Sequence, residues 1–143
     1  MEKYSLNERI NDKINEIEKY LEELISITPE GFREYSEDFR AKAACERFFE
    51  KIVEAAVDLA FLVIKSKKLD IPEGDKETFD ILAKKGIITK DLAANLKDAK
   101  SMRNILAHEY GNVNDKLVFH SLTAELEKDI NEFLEEIMKE YKK

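Results

Sequence analysis

Residues that break helices are scarce in this chain, with four glycines and two prolines among 143 residues. Tryptophan is missing and there are two histidines. A lone cysteine, Cys45, excludes an intrachain disulfide. The longest apolar run, Leu59 to Ile64, is far shorter than the roughly 20 residues a membrane helix needs. The charged N-terminus shows no apolar stretch of the kind a signal peptide carries. A soluble cytoplasmic protein is expected, with no membrane partner. Alternating apolar and polar residues are not sustained anywhere, and no Asn-Gly or Asp-Gly pair joins two apolar runs, so strands are not expected. Positive charge is also in deficit. The net charge of -7 excludes the broad basic face of a dedicated nucleic-acid binder, and any contact with RNA must be local. Gly-rich phosphate loops, G-x-S-x-G elbows and zinc motifs are absent.

What the chain has in quantity is Ala, Leu, Ile, Glu and Lys, the composition of long amphipathic helices. Ile10, Ile14, Ile17, Leu21 and Leu24 recur at intervals of four and three and mark the first helix. Thr28-Pro29-Glu30-Gly31 ends it. A second helix is expected to open near Ser36 as N-cap, with Tyr35 as a staple. It runs through Phe39, Ala43, Phe49, Ile52, Val53, Ala56, Leu59, Ala60 and Val63. The chain turns around Asp70-Ile71-Pro72-Glu73-Gly74. A short helix then spans about Lys76 to Lys85, stopped by Gly86 in the left-handed position after its end. Thr89 caps a fourth helix carrying Leu92, Leu96, Ala99, Met102, Leu106 and Tyr110, and Gly111 stops it. The last helix runs from Asp115 to Tyr141 through Leu122, Leu126, Ile130, Phe133 and Ile137. The fold class is therefore all-α: an up-and-down bundle of four long helices plus one short one. No linker or repeat divides residues 1–143, which are read as a single domain.

The chemistry concentrates in Met102-Arg103-Asn104-Ile105-Leu106-Ala107-His108-Glu109-Tyr110. With five Arg, two His and five Tyr, a shuffled chain of this composition would show R-x4-H-x-Y roughly 0.002 times. Asn104 and His108 stand one helical turn apart on a common face, and Arg103 and Tyr110 are about two turns apart. His108 falls in the last turn before Gly111, where the negative end of the helix dipole favours a cation. Arginine can grip a phosphate while histidine moves a proton, the pair of tasks that phosphodiester cleavage sets. Cleavage through a 2′-hydroxyl uses both a base and an acid, and the motif holds one histidine. A two-fold dimer would supply the second. An Arg–His pair on a helix also suits a salt-bridged structural role. On the second helix, Glu46, Glu54 and Asp58 form either a solvated face or a set that orients Arg103 or Arg47. His120 has no ligand-spaced Cys or carboxylate.

The motif resembles the R-x4–6-H of HEPN ribonucleases. The added Tyr110 and the polar Asn104 resemble the HepT branch. The segments Ala44-Cys45-Glu46-Arg47 and Glu54 to Leu59 are similar to that family's second helix, and Phe79 to Ile88 to its approach to the motif helix. The resemblance implies a metal-independent endoribonuclease toxin of a type VII toxin–antitoxin pair, working without a cofactor. It also implies a homodimer whose interface holds the cleft, with Arg103 and His108 catalytic and Asn104 supporting. The partner implied is a minimal nucleotidyltransferase antitoxin of the MNT type, with Tyr110 as a site of adenylylation. Two other functions fit the acidic chain: a non-catalytic dimeric subunit that binds such a nucleotidyltransferase, and a nucleotide-binding module.

Overall fold

The computed structural model describes residues 5–108 and 113–141. The first helix, α1 (Leu6–Ile27), begins with a reciprocal cap in which Ser5 accepts from the Glu8 amide and Glu8 accepts from that of Ser5. Its five stripe residues are all buried. A short helix, α2 (Phe32–Glu37), precedes α3 (Phe39–Ser66), the longest of the chain. Helices α4 (Asp75–Lys84) and α5 (Lys90–His108) follow. The C-terminal rod comprises α6 (Asp115–His120), a π-helical stretch (Ser121–Glu125) and α7 (Leu126–Tyr141). No strand occurs among the described residues.

Helix α3 is the central element, packing against α1, α2, α4 and α5. Its alanines explain this position. Ala55, Ala56 and Ala60 are at most 3% exposed, and their small side chains let neighbours approach on several sides. One apolar cluster joins residues from every element. The expected bundle of four long helices and a short one is found, with two local differences.

Ser36 is not the N-cap of α3. It lies inside α2, where its hydroxyl donates to the Arg33 carbonyl, and Tyr35 is wholly buried against Phe119 instead of stapling α3. Asp38 closes α2 and opens α3 together, accepting from the Ala41 amide at 3.1 Å. In consequence Phe39, expected in the core, is 76% exposed at the first turn of α3.

The rod is the second difference. Val118, Leu122, Leu126 and Ile130 are all buried although they follow one another at intervals of four. In a regular α-helix each such step overshoots a full turn by about 40°. The wider π turn between Ser121 and Glu125 absorbs the overshoot and keeps the stripe on the core.

Two ends of the helices that lead to the motif are set by backbone geometry. After α4, Gly86 has φ +76, its amide donates to the Ala83 carbonyl, and Ile87 N–H reaches the Leu82 carbonyl. The same pair of bonds ends α3, where Lys68 takes the left-handed position at φ 55. Thr89 caps α5 through the Leu92 amide at 3.0 Å, as expected. A Cβ on Gly86 would meet nothing within 4 Å, so Gly86→Ala tests the backbone angle alone. It should cost about 1 kcal/mol in urea unfolding. A midpoint unchanged from wild type would show that the left-handed angle carries no cost here.

Candidate active site on the motif helix

The motif occupies the C-terminal half of α5. One face of this helix presents Lys97, Lys100, Arg103 and Asn104, at intervals of three or four. Each of the three cations is met by a carboxylate from another helix. Lys97 Nζ contacts both oxygens of Asp80 on α4, at 3.1 and 3.0 Å. Lys100 Nζ lies 3.1 Å from Glu54 Oε1 and 3.2 Å from Asp75 Oδ2. Arg103 Nε stands 2.7 Å from the same Glu54 oxygen. Despite that closeness the buried Nε–H finds no properly aligned hydrogen-bond acceptor, so the contact is an ion pair and not a directed bond. Arg103 Nη1 donates to Asn104 Oδ1 at 3.2 Å.

Arg103 and Asn104 are thus brought together, and half-buried Arg103 is held from behind by α3. His108 is exposed at the end of α5. No hydrogen bond or ion pair connects it with Arg103 among the described residues. Their separation of five positions corresponds to about 140° around an α-helix and 7.5 Å along it. Tyr110 lies outside the described residues.

Of the two roles the sequence allows Glu54, the structure brings it against Arg103. Asp58, one turn further along α3, turns to Lys13 of α1 at 3.7 Å instead. Burial pushes its carboxyl above the usual range, with Lys13 opposing and Glu54 adding to the shift. Glu46 is likewise raised by burial, against the pull of Lys42. Lys100 lies outside the R-x4-H-x-Y motif. The signal was present, since it continues the apolar stripe Leu92, Leu96 at the next interval of four and is 6% exposed. His120 sits 3.9 Å from Glu125 on the rod, away from this cluster.

Beside the motif runs a shallow groove of about 390 Å³, lined by Gly74, Asp75, Lys76, Glu77, Lys100 and Asn104. A larger groove of about 990 Å³ lies between α1 and α3 and takes no residue from α5. Among the described residues no group of His, Cys, Asp and Glu is arranged to hold a metal, and no helix is long and apolar enough to cross a membrane.

Residues 17–137 match the family described as Ribonuclease HepT-like, and the chain belongs to that family. It is similar to the mRNA nuclease HepT of Shewanella oneidensis, with 28% identity over 135 residues that cover 94% of this chain and 100% of that one. The tRNA nuclease HepT of Aphanizomenon flos-aquae is 26% identical over 118 residues, covering 82% of this chain and 80% of the other. Among solved structures, the tri-AMPylated HEPN toxin of Shewanella oneidensis in complex with MNT antitoxin aligns with a TM-score of 0.85 and 28% identity. That match covers 91% of this chain and 96% of that one. The ribonuclease class expected from the motif is the class to which these comparisons lead.

The buried ammonium makes its own stability test. Lys100→Ala removes the stem and takes from Glu54 and Asp75 the ammonium they share, leaving Glu54 with Arg103 alone, and should cost about 2 kcal/mol or more. Lys100→Met keeps the stem and should cost clearly less. Equal thermal denaturation curves for wild type and Lys100→Ala would show that the ion cluster is not part of what holds α3, α4 and α5 together.

Proposed function

We propose that this chain is a metal-independent endoribonuclease toxin whose catalytic residues are Arg103 and His108, with Asn104 supporting, and that it acts as a homodimer. The observation that carries the reading is the state of Arg103. A half-buried guanidinium is anchored on one edge by Glu54 and on another by Asn104, beside a groove and within one and a half turns of an exposed histidine. In the chemistry proposed, the guanidinium binds the scissile phosphate and stabilises the charge that builds on its oxygens. One histidine withdraws the 2′-hydroxyl proton and a second delivers a proton to the leaving 5′-oxygen.

The azimuthal separation of Arg103 and His108 supports a cleft built from two copies, in which one chain's arginine serves beside the other chain's histidine. Exposed apolar surface at the starts of α3 and α6 supports the same reading. Phe39 is 76% and Leu117 57% exposed, and the 2.8 Å pair Lys42–Asp115 draws the starts of α3 and α6 together. The net charge of -7 suits recognition at one phosphate and not along a backbone track.

The test is cleavage of RNA by purified protein in the presence of a chelator. Arg103→Ala and His108→Ala should each lower the rate by about 100-fold or more. A mixture of the two inactive variants should stay far below wild type, because each mixed dimer keeps a single His108 where base and acid together need two. Wild-type cleavage by His108→Ala would remove the catalytic assignment and leave the non-catalytic partner subunit as the better reading.

The partner of this toxin is a nucleotidyltransferase antitoxin, and Tyr110, two residues beyond His108, is the acceptor of AMP. A nucleotide attached there adds bulk and negative charge two residues along the chain from His108, opposing an incoming phosphate. Incubation with the partner and ATP should add AMP to the peptide that carries Tyr110 and stop cleavage. AMP found on another side chain, or retained in full by Tyr110→Phe, would refute the assignment.

A further inference from the structure

We infer that Glu54 is a positioning residue for the cleavage reaction, holding Arg103 by its Nε edge so that the end-on Nη1/Nη2 fork is presented to the phosphate. The inference rests on the catalytic assignment of Arg103. A glutamate on a helix surface ordinarily swings among rotamers, and a pair made by such a residue contributes little. Glu54 is differently placed. A single oxygen, Oε1, faces both Arg103 Nε at 2.7 Å and Lys100 Nζ at 3.1 Å. Lys100 is in turn fixed by Asp75 at 3.2 Å and has a side chain only 7% exposed, so it cannot leave to follow solvent. The carboxylate is therefore pinned by an ammonium that is itself pinned by a third helix. Arg103, with a side chain 23% exposed, is held by a support that reaches from α3 to the first turn of α4.

This arrangement has a cost for substrate affinity. A carboxylate behind the guanidinium cancels part of the charge that attracts RNA. A group kept for binding alone would not be placed there, whereas a group kept for aim would. An arginine meets phosphate through a planar fork; the ion pair with Glu54 fixes where that group sits, and the bond from Nη1 to Asn104 Oδ1 restricts rotation of its plane. The signature is a pair of effects with opposite signs.

Glu54→Gln keeps the shape and removes the charge. In single-turnover cleavage with chelator present, its rate should fall on the order of 10–100-fold while RNA binds as tightly as to wild type or more tightly. In the Arg103→Ala background the same change should have no further effect on rate, because Glu54 acts through that residue. A rate within twofold of wild type overturns the inference, as does a rate loss that tracks the folded fraction or adds fully to that of Arg103→Ala. Should Glu54→Gln fail to fold, Lys100→Met carries the test: it unpins the carboxylate while leaving its charge, and a reduced rate at unchanged folded fraction is expected. Wild-type cleavage by Arg103→Ala would instead overturn the catalytic assignment, and the positioning role with it.

Discussion

An ammonium group can sit in a protein interior only if carboxylates come to it, and in this chain that requirement organises the region around the motif. Lys100 occupies a position on α5 that the helical period turns toward the core. Glu54 of α3 and Asp75 of α4 converge on it. Each partner is itself partly exposed, so the cluster is a seam between interior and surface and not a sealed pair. The angle at which α5 meets α3 and α4 is thereby tied to one nitrogen atom. Arg103 and Asn104, a turn further on, inherit their placement from it.

The charge of the whole molecule bears on the same point. An acidic protein that handles an acidic polymer must keep its attraction local. On the motif face of α5 the cations Lys97, Lys100 and Arg103 are all met by carboxylates from neighbouring helices. No diffuse positive field remains along that face. What remains is directional: a planar group held at two edges.

Much of this was legible in the residues. The 4-3-4-3 stripe of α1, the Thr89 cap and the Gly86 stop depend on contacts within a few positions, and all three are found where the pattern put them. The Arg103–Asn104–His108 spacing was legible because it is local to one helix. Less visible were features in which two signals compete. Ser36 and Asp38 are both cap formers, and the choice of Asp38 depended on Tyr35 finding a fully buried place against Phe119, far along the chain. The pairing of Glu54 with Lys100 spans 46 positions, and no local rule could select it from the other carboxylates on α3. The three successive intervals of four from Val118 to Ile130 did carry the π turn, but as a departure from the helical period that a simple stripe count overlooks.

That π turn has a consequence for how the rod can change length. Elsewhere in an α-helix, removing one residue rotates everything downstream by about 100° and turns buried side chains out to water. Between Ser121 and Glu125 the opposite holds. Loss of one residue there would bring Val118 and Leu126 to an interval of seven, the spacing an ordinary helix wants, and Ile130 through Ile137 would keep their seats. The C-terminal rod thus contains a site where relatives of this chain could lack one residue without repacking the bundle.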